Sequence, residues 1–131
     1  MNKEEILNVL KKYSFDKNEF IILSGAALVL LGIKDKTNDI DISFSERLYN
    51  KILKDFKCIL DWNNDGYDIW YLDGIINFGK NYYNKEYILI NEYKVQSLKS
   101  IYELKLELNR EKDKKDIENI LKYAKNNNIK L

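Results

Sequence analysis

The sequence contains no histidine and no proline, and among its 131 residues only one is cysteine and one methionine. The missing histidine excludes Ser-His and Cys-His nucleophile pairs, histidine general bases and the common zinc sites. Any chemistry falls to carboxylates, hydroxyls, amines or a bound metal. The lone thiol, Cys58, has no partner for an internal disulfide, which fits a cytoplasmic location. No apolar run approaches the roughly 18 residues that span a bilayer. The segment Met1 to Tyr13 lacks the apolar core and small-residue cleavage site of a secretory signal. No membrane partner is expected. Net charge is also missing: 22 lysines and arginines offset 21 aspartates and glutamates, leaving +1. There is thus no global attraction to nucleic acid or lipid, and a polyanion must be met locally. The absence of proline beside abundant lysine, asparagine and isoleucine reads as genome composition.

What is present is globular. With 45% hydrophobic and 33% charged residues, the chain is far from the composition of disordered segments. Its length suits one domain, residues 1 to 131. Ile6, Leu7, Leu10 and Tyr13 form one helical stripe over Glu4 to Tyr13, with Asn2 as cap. Phe20 to Leu23 is a short β-favouring run; Ser24-Gly25 then makes a tight turn into a helix, Ala26 to Leu31, ending at Gly32. Asp39 to Phe44 alternates Ile40, Ile42 and Phe44 with Asp39, Asp41 and Ser43, a strand with one buried face. Ser45 caps a helix reaching about Phe56. Lys57 to Leu60 and Tyr67 to Leu72 read as a hairpin across Asn63-Asn64-Asp65-Gly66, and Tyr87 to Ile90 and Tyr93 to Val95 as another around Asn91-Glu92. Leu98 to Leu108 and Lys112 to Tyr123 are helical. The order predicts an α+β fold, a mixed sheet flanked by helices with a C-terminal helical tail.

Asp39 and Asp41 lie two apart on a strand, so their carboxylates leave the same face with Cα atoms about 7 Å apart. Such a pair can converge on one or two magnesium ions, which favour a few carboxylates together with phosphate and water and stabilise both oxygens of a phosphoryl displacement. A third carboxylate is expected from a neighbouring strand. Asp68 is the choice, because it alternates against Tyr67, Ile69 and Tyr71; Asp73 is held in reserve. Upstream, Ser24-Gly25 sits where backbone N–H groups and a helix start can approach a triphosphate, with the Ser24 hydroxyl adding to them. Taken alone, an Asp-x-Asp on an amphipathic strand is commonly a solvated face, and a Ser-Gly turn serves any tight connection. Their weight comes from occurring together, with thirteen residues between Gly25 and Asp39.

Ser24-Gly25-Ala26-Ala27-Leu28, followed after Gly32 by Thr37-Asn38-Asp39-Ile40-Asp41, resembles the DNA polymerase beta type nucleotidyltransferase superfamily. There a glycine pair leads to an Asp-x-Asp strand, and the first glycine corresponds to Ser24 here. Lys105, Arg110 and the run Lys112-Asp113-Lys114-Lys115-Asp116-Ile117 are similar to the C-terminal pattern of small bacterial nucleotidyltransferases that include abortive-infection toxins. The resemblance covers roughly Ile21 to Leu121. It implies transfer of a nucleoside monophosphate from a nucleoside triphosphate to an acceptor hydroxyl. Asp39, Asp41 and Asp68 would hold magnesium and act catalytically. Ser24, Gly25, Lys36, Thr37, Lys105 and Arg110 would contact the nucleotide.

The acceptor is left open among tRNA, a protein and a small molecule, with a toxin–antitoxin or phage-defence setting, and a cognate antitoxin or a second copy as partner. Two other readings stand beside this one. The first is the same fold without catalysis, a binding or regulatory module. The second is a nucleic-acid-binding α+β domain using its lysine-rich C-terminal helix. Bland roles also exist for the tail: Asp113 and Asp116 suit a helix start, and Lys105 can lie over the core beside Ile101, Leu104 and Leu108.

Overall fold

The structure is a computed structural model and describes residues 1–64 and 67–131. Helix α1 (Lys3–Tyr13) opens on a capping box: the Asn2 side chain accepts from the Glu5 N–H, and the Glu5 carboxylate accepts from the Asn2 N–H. This satisfies two of the N–H groups that a helix start leaves unpaired. Strand β1 (Phe20–Leu23) runs directly into helix α2 (Ser24–Leu30), so the expected Ser-Gly turn is the first turn of the helix itself. Strand β2 (Ile40–Phe44) leads to helix α3 (Glu46–Asp55), whose cap Ser45 accepts from the Leu48 N–H at 3.2 Å. Strands β3 (Cys58–Asn64), β4 (Tyr67–Leu72), β5 (Ile76–Gly79), β6 (Tyr87–Ile90) and β7 (Tyr93–Gln96) follow. Helices α4 (Leu98–Leu108) and α5 (Lys114–Asn126) close the chain.

All seven strands form one mixed sheet in the order β3-β4-β5-β2-β1-β7-β6. β2 lies at the centre, antiparallel to β1 and parallel to β5. Strand β5 was not anticipated from the sequence. It follows a two-residue turn, Asp73-Gly74, in which both residues have positive φ (54° and 65°) and the Ile75 N–H donates to the Leu72 carbonyl. Asn91 and Glu92 likewise carry positive φ at the β6–β7 turn (51° and 70°), the requirement of a tight hairpin whose twist matches its strands. The turn expected at Asn63 to Gly66 falls partly on Asp65 and Gly66, which lie outside the described residues.

One sheet face is apolar where it meets α2 and α3. Ile40, Ile42 and Phe44 of β2 are fully buried, with Phe78 of β5 and Leu72 of β4. Phe44 meets Phe15, Phe20 and Phe78 edge-on, with ring centroids 5.3 to 5.9 Å apart. Trp70 of β4 donates its indole N–H to the Tyr49 hydroxyl of α3 at 2.9 Å, placing α3 on this face. The residues between these, Asp41 and Ser43 on β2, Asn77 on β5 and Tyr71 on β4, therefore look out from the other face. No helix among the described residues is long and apolar enough to cross a membrane.

Candidate active site

Asp39 precedes β2 and Asp41 is its second residue, so strand alternation brings both carboxylates to the face away from α3. Asp41 stands opposite Leu23 of β1 on one side and Asn77 of β5 on the other. Asn77 in turn stands opposite Tyr71 of β4. The Tyr71 hydroxyl donates to Asp39 Oδ2 at 3.0 Å, and the Asn77 amide donates to Asp61 Oδ2 at 3.3 Å. Asp61 belongs to β3, whose register against β4 shifts between Leu60 and Trp62. Three aspartates thus share one face, Asp41 on the central strand and Asp39 just before it.

The electrostatics follow from this crowding. Burial, and then the charge of Asp39, push the Asp41 carboxyl up to about 6, against the lowering pull of Lys105, Lys112 and Arg110. The Tyr71 hydroxyl is pushed up to about 12, first by its hydrogen bond to Asp39, then by burial and the neighbouring aspartates, Asp61 among them. A partly buried acid beside a second one favours either a proton or a cation between them.

The expected third carboxylate, Asp68, is not brought to the pair. It shares the face of Trp70 and Leu72, the side covered by α3, and accepts from the Asn63 amide. Tyr71 and Ile69, read from the sequence as the inward residues of β4, are the ones on the Asp41 face. Asp73 sits in the β4–β5 turn and accepts from the Tyr13 hydroxyl of α1. Asp61, missed from the sequence, is the carboxylate that reaches this face from outside β2. Among the described residues no cluster of three acidic, cysteine or histidine side chains is close enough to hold a metal ion unaided.

Ser24 has φ 52°, a left-handed backbone that glycine adopts without strain, and its N–H is engaged by the Gln96 side chain at 3.1 Å. Gly25 lies close against Thr37: a Cβ there would stand 3.0 Å from Thr37 Oγ1. Thr37 is fixed in turn by its N–H, which donates to the Met1 carbonyl at 2.9 Å. Gly25 and Thr37 are thus brought together beside the entry to β2. Lys36 points elsewhere, into a groove of about 580 Å³ between the α2–β2 loop and α5, lined also by Lys34, Asn119 and Tyr123 and by neither Asp39 nor Asp41.

Lys105, expected to contact phosphate, is only 3% exposed. Its ammonium lies 2.8 Å from Asp113 and 3.3 Å from Asp116, which Lys34 also approaches at 3.5 Å. Arg110 binds the second oxygen of Asp113 at 2.6 Å. Burial alone would raise the Asp113 carboxyl, but hydrogen bonds from Arg110 and Lys105 hold it below the ordinary carboxylate range. Lys105 therefore ties α4 to α5, and its charge reaches Asp41 from within that network.

No protein-family model matches the chain, and no curated protein does. Among solved structures it is similar to the crystal structure of a "putative nucleotidyltransferase" from Thermotoga maritima, with 21% identity and a TM-score of 0.59. The match covers 94% of this chain and 96% of the other. This is a nucleotidyltransferase fold. The share covered is longer than the segment from Ile21 to Leu121 that carries the sequence motif. Within the nucleotidyltransferase fold of this chain, the Asp-x-Asp strand is the central one, β2, and the tail helices bring their cationic residues within electrostatic reach of it.

Proposed function

We propose that this chain is a magnesium-dependent nucleotidyltransferase that moves a nucleoside monophosphate from a nucleoside triphosphate to an acceptor hydroxyl. The observation that carries the reading is the paired carboxylates of Asp39 and Asp41 at the start of the central strand, with burial and Asp39 raising Asp41 to about 6. The donor set fits a hard divalent cation: two carboxylates on one open face, with room left for phosphate and water ligands. Asp39 and Asp41 would hold magnesium, which when bound supplies charge neutralisation of the triphosphate and of the attacking oxygen. Tyr71 orients Asp39 through its hydroxyl. Asp61, steadied by Asn77, takes the place first expected for Asp68, as the carboxylate facing the acceptor. Arg110 and Lys112 add positive charge where pyrophosphate leaves, and Ser24, Gly25 and Thr37 form the wall behind the nucleotide. In-line displacement asks little more of a protein than this positioning and charge compensation.

The acceptor hydroxyl belongs to tRNA, a protein or a small molecule. A cytoplasmic toxin–antitoxin or phage-defence role, with a cognate antitoxin, accords with the small size and the tail pattern. Turnover of each radiolabelled nucleoside triphosphate, with Asp39→Ala and Asp41→Ala as controls, tests the reading. Label transfer that either substitution abolishes in a folded protein supports it; no magnesium-dependent binding of any nucleoside triphosphate sinks it. A second reading, a nucleotidyltransferase fold acting only as a binding module, is favoured by the strained Ser24 backbone and by the placement of Asp68 on the far face. It predicts partner binding unaffected by Asp39→Ala.

A further inference from the structure

The sheet ends on strands of unlike character. The β3 edge carries Asp61 and a register shift, two devices that discourage pairing with another strand. The β6 edge carries neither. Its sequence is Tyr87-Ile88-Leu89-Ile90, uncharged throughout, and Tyr87, Ile88 and Leu89 are 44%, 44% and 67% exposed.

The direction of its free backbone groups can be read from the ladder. The Ser97 N–H donates to the Glu86 carbonyl, in register with Tyr87 opposite Gln96 and Ile88 opposite Val95. Alternate residues of an antiparallel strand bond to the same neighbour. Glu86, Ile88 and Ile90 thus turn their backbone groups toward β7, and Tyr87 and Leu89 turn theirs outward, where the sheet order among the described residues places no further strand.

We propose that this edge pairs antiparallel with the β6 edge of a second copy of the chain, about a two-fold axis through Ile88. A two-fold axis perpendicular to the sheet keeps every side chain on its own face, so some residue must stand opposite itself. Centring on Ile88 sets Tyr87 opposite the partner's Leu89, and the outward groups of both exchange hydrogen bonds. Ile88 then meets the partner's Ile88 as a close pair without hydrogen bonds. Centring on Leu89 instead sets Glu86 opposite the partner's Glu92 and Tyr87 against the partner's turn. Centring on Tyr87 sets Ile88 opposite the partner's Glu86. Charge and polarity therefore select the Ile88 register. Because the axis is perpendicular to the sheet, both Asp39–Asp41 pairs face the same side. Counted along the sheet they are seven strand spacings apart, about 34 Å. With only one short strand from each copy, the contact falls at the small end of protein interfaces and the dimer is concentration-dependent.

The test uses the full chain in a Cys58→Ser background under oxidised glutathione. In the selected register Ile88→Cys places two thiols on a close pair with Cα atoms about 4.5 Å apart, within disulfide range, whereas Leu89→Cys leaves them beyond the limit of about 7 Å. Ile88→Cys is expected to form a covalent dimer at least about tenfold faster than Leu89→Cys. Sedimentation of the wild type is expected to rise with concentration. Leu89→Pro should hold it at the monomer value with an unchanged unfolding temperature, since the Leu89 N–H takes no part in the chain's own ladder. If Leu89→Pro disturbs folding, Ile88→Glu, which sets two carboxylates against each other across the axis, must give the same monomer. Equal or reversed cross-linking rates, or sedimentation independent of concentration, overturn the proposal.

Discussion

Replacing Asp41 by asparagine should make the metal-free protein more stable at neutral pH and leave it unimproved in acid. In the fold the Asp41 carboxyl is pushed up from 3.8 to about 6, by burial and then by the charge of Asp39. Between these two values the folded chain binds a proton that the unfolded chain has released, so stability falls as pH rises through this window. The shift of about two units corresponds to about 3 kcal/mol at most. Asp41 retains some exposure, and a gain of about 2 kcal/mol is the reasonable expectation at pH 8. Asp41→Asn removes the charge while keeping the shape, so it should recover this amount at pH 8 and nothing at pH 3.5. For a chain of this size the gain corresponds to a rise in melting temperature of roughly 6–10 °C. The assay is urea unfolding of both proteins with a chelator present, at intervals from pH 3.5 to 8. A stability difference that stays flat across that range would refute the reasoning, because a carboxylate destabilised by its surroundings must show its cost only where it is ionised. Asp39→Asn, which removes the neighbouring charge but not the burial, should shift the window toward lower pH and recover only part of the gain.

Lys105→Met should destabilise the protein by about 3–5 kcal/mol in denaturant unfolding, because it leaves Asp113 and Asp116 buried without their shared cation. Adding Asp113→Asn and Asp116→Asn to that variant should restore much of the loss, and no recovery would mean that Lys105 acts through packing alone. Because Asp113 is held below the ordinary carboxylate range, its contribution is present at neutral pH and is lost as pH falls through its lowered value. Ser24→Gly should stabilise the fold by about 0.5–1 kcal/mol, since glycine takes the left-handed backbone of this position without strain. A loss of stability by calorimetry would show that the Ser24 side chain contributes more than its backbone costs. Gly25→Ala should cost about 1–2 kcal/mol as its Cβ crowds Thr37 Oγ1, and Thr37→Ala in the same chain should return most of it, a coupling readable by double-mutant cycle.

Much of the fold was legible because its signals are local. The helical stripe of Ile6 and Leu10, the alternation of Ile40, Ile42 and Phe44 with Asp39 and Asp41, and the serine cap at Ser45 depend on neighbours within a few residues. Strand β5 had a local signal too. Asp73-Gly74 is the same dipeptide that, at Asp65-Gly66, is read from the sequence as a hairpin signal, and Ile75 to Phe78 is apolar apart from Asn77. At four residues the strand is too short for its alternation alone to mark it.

The site was legible only as far as its own strand. Alternation divides β4 into two sets, Tyr67, Ile69 and Tyr71 against Asp68, Trp70 and Leu72, but does not say which set faces β2's aspartates. Counting tyrosine with the core residues assigned Asp68 to the site and Tyr71 to the interior. The decision lies in contacts far along the chain: Trp70 bonds to Tyr49 of α3, 21 residues away, and Leu72 is buried, so Tyr71 must emerge beside Asp39, 32 residues away. The insertion of β5 between β4 and β2 then sets Asn77 directly beside Asp41, and the carboxylate that Asn77 holds, Asp61, lies on β3, the strand farthest from β2 on that side. An aspartate so placed reaches the site through an amide and not at first hand. If Asp61 is the group that faces the acceptor, Asn77→Ala must reduce transfer by releasing Asp61 while leaving the Asp39–Asp41 pair and its nucleotide binding intact, a loss in kcat without a loss in affinity. Equal losses in both would mean that Asn77 itself contacts the nucleotide.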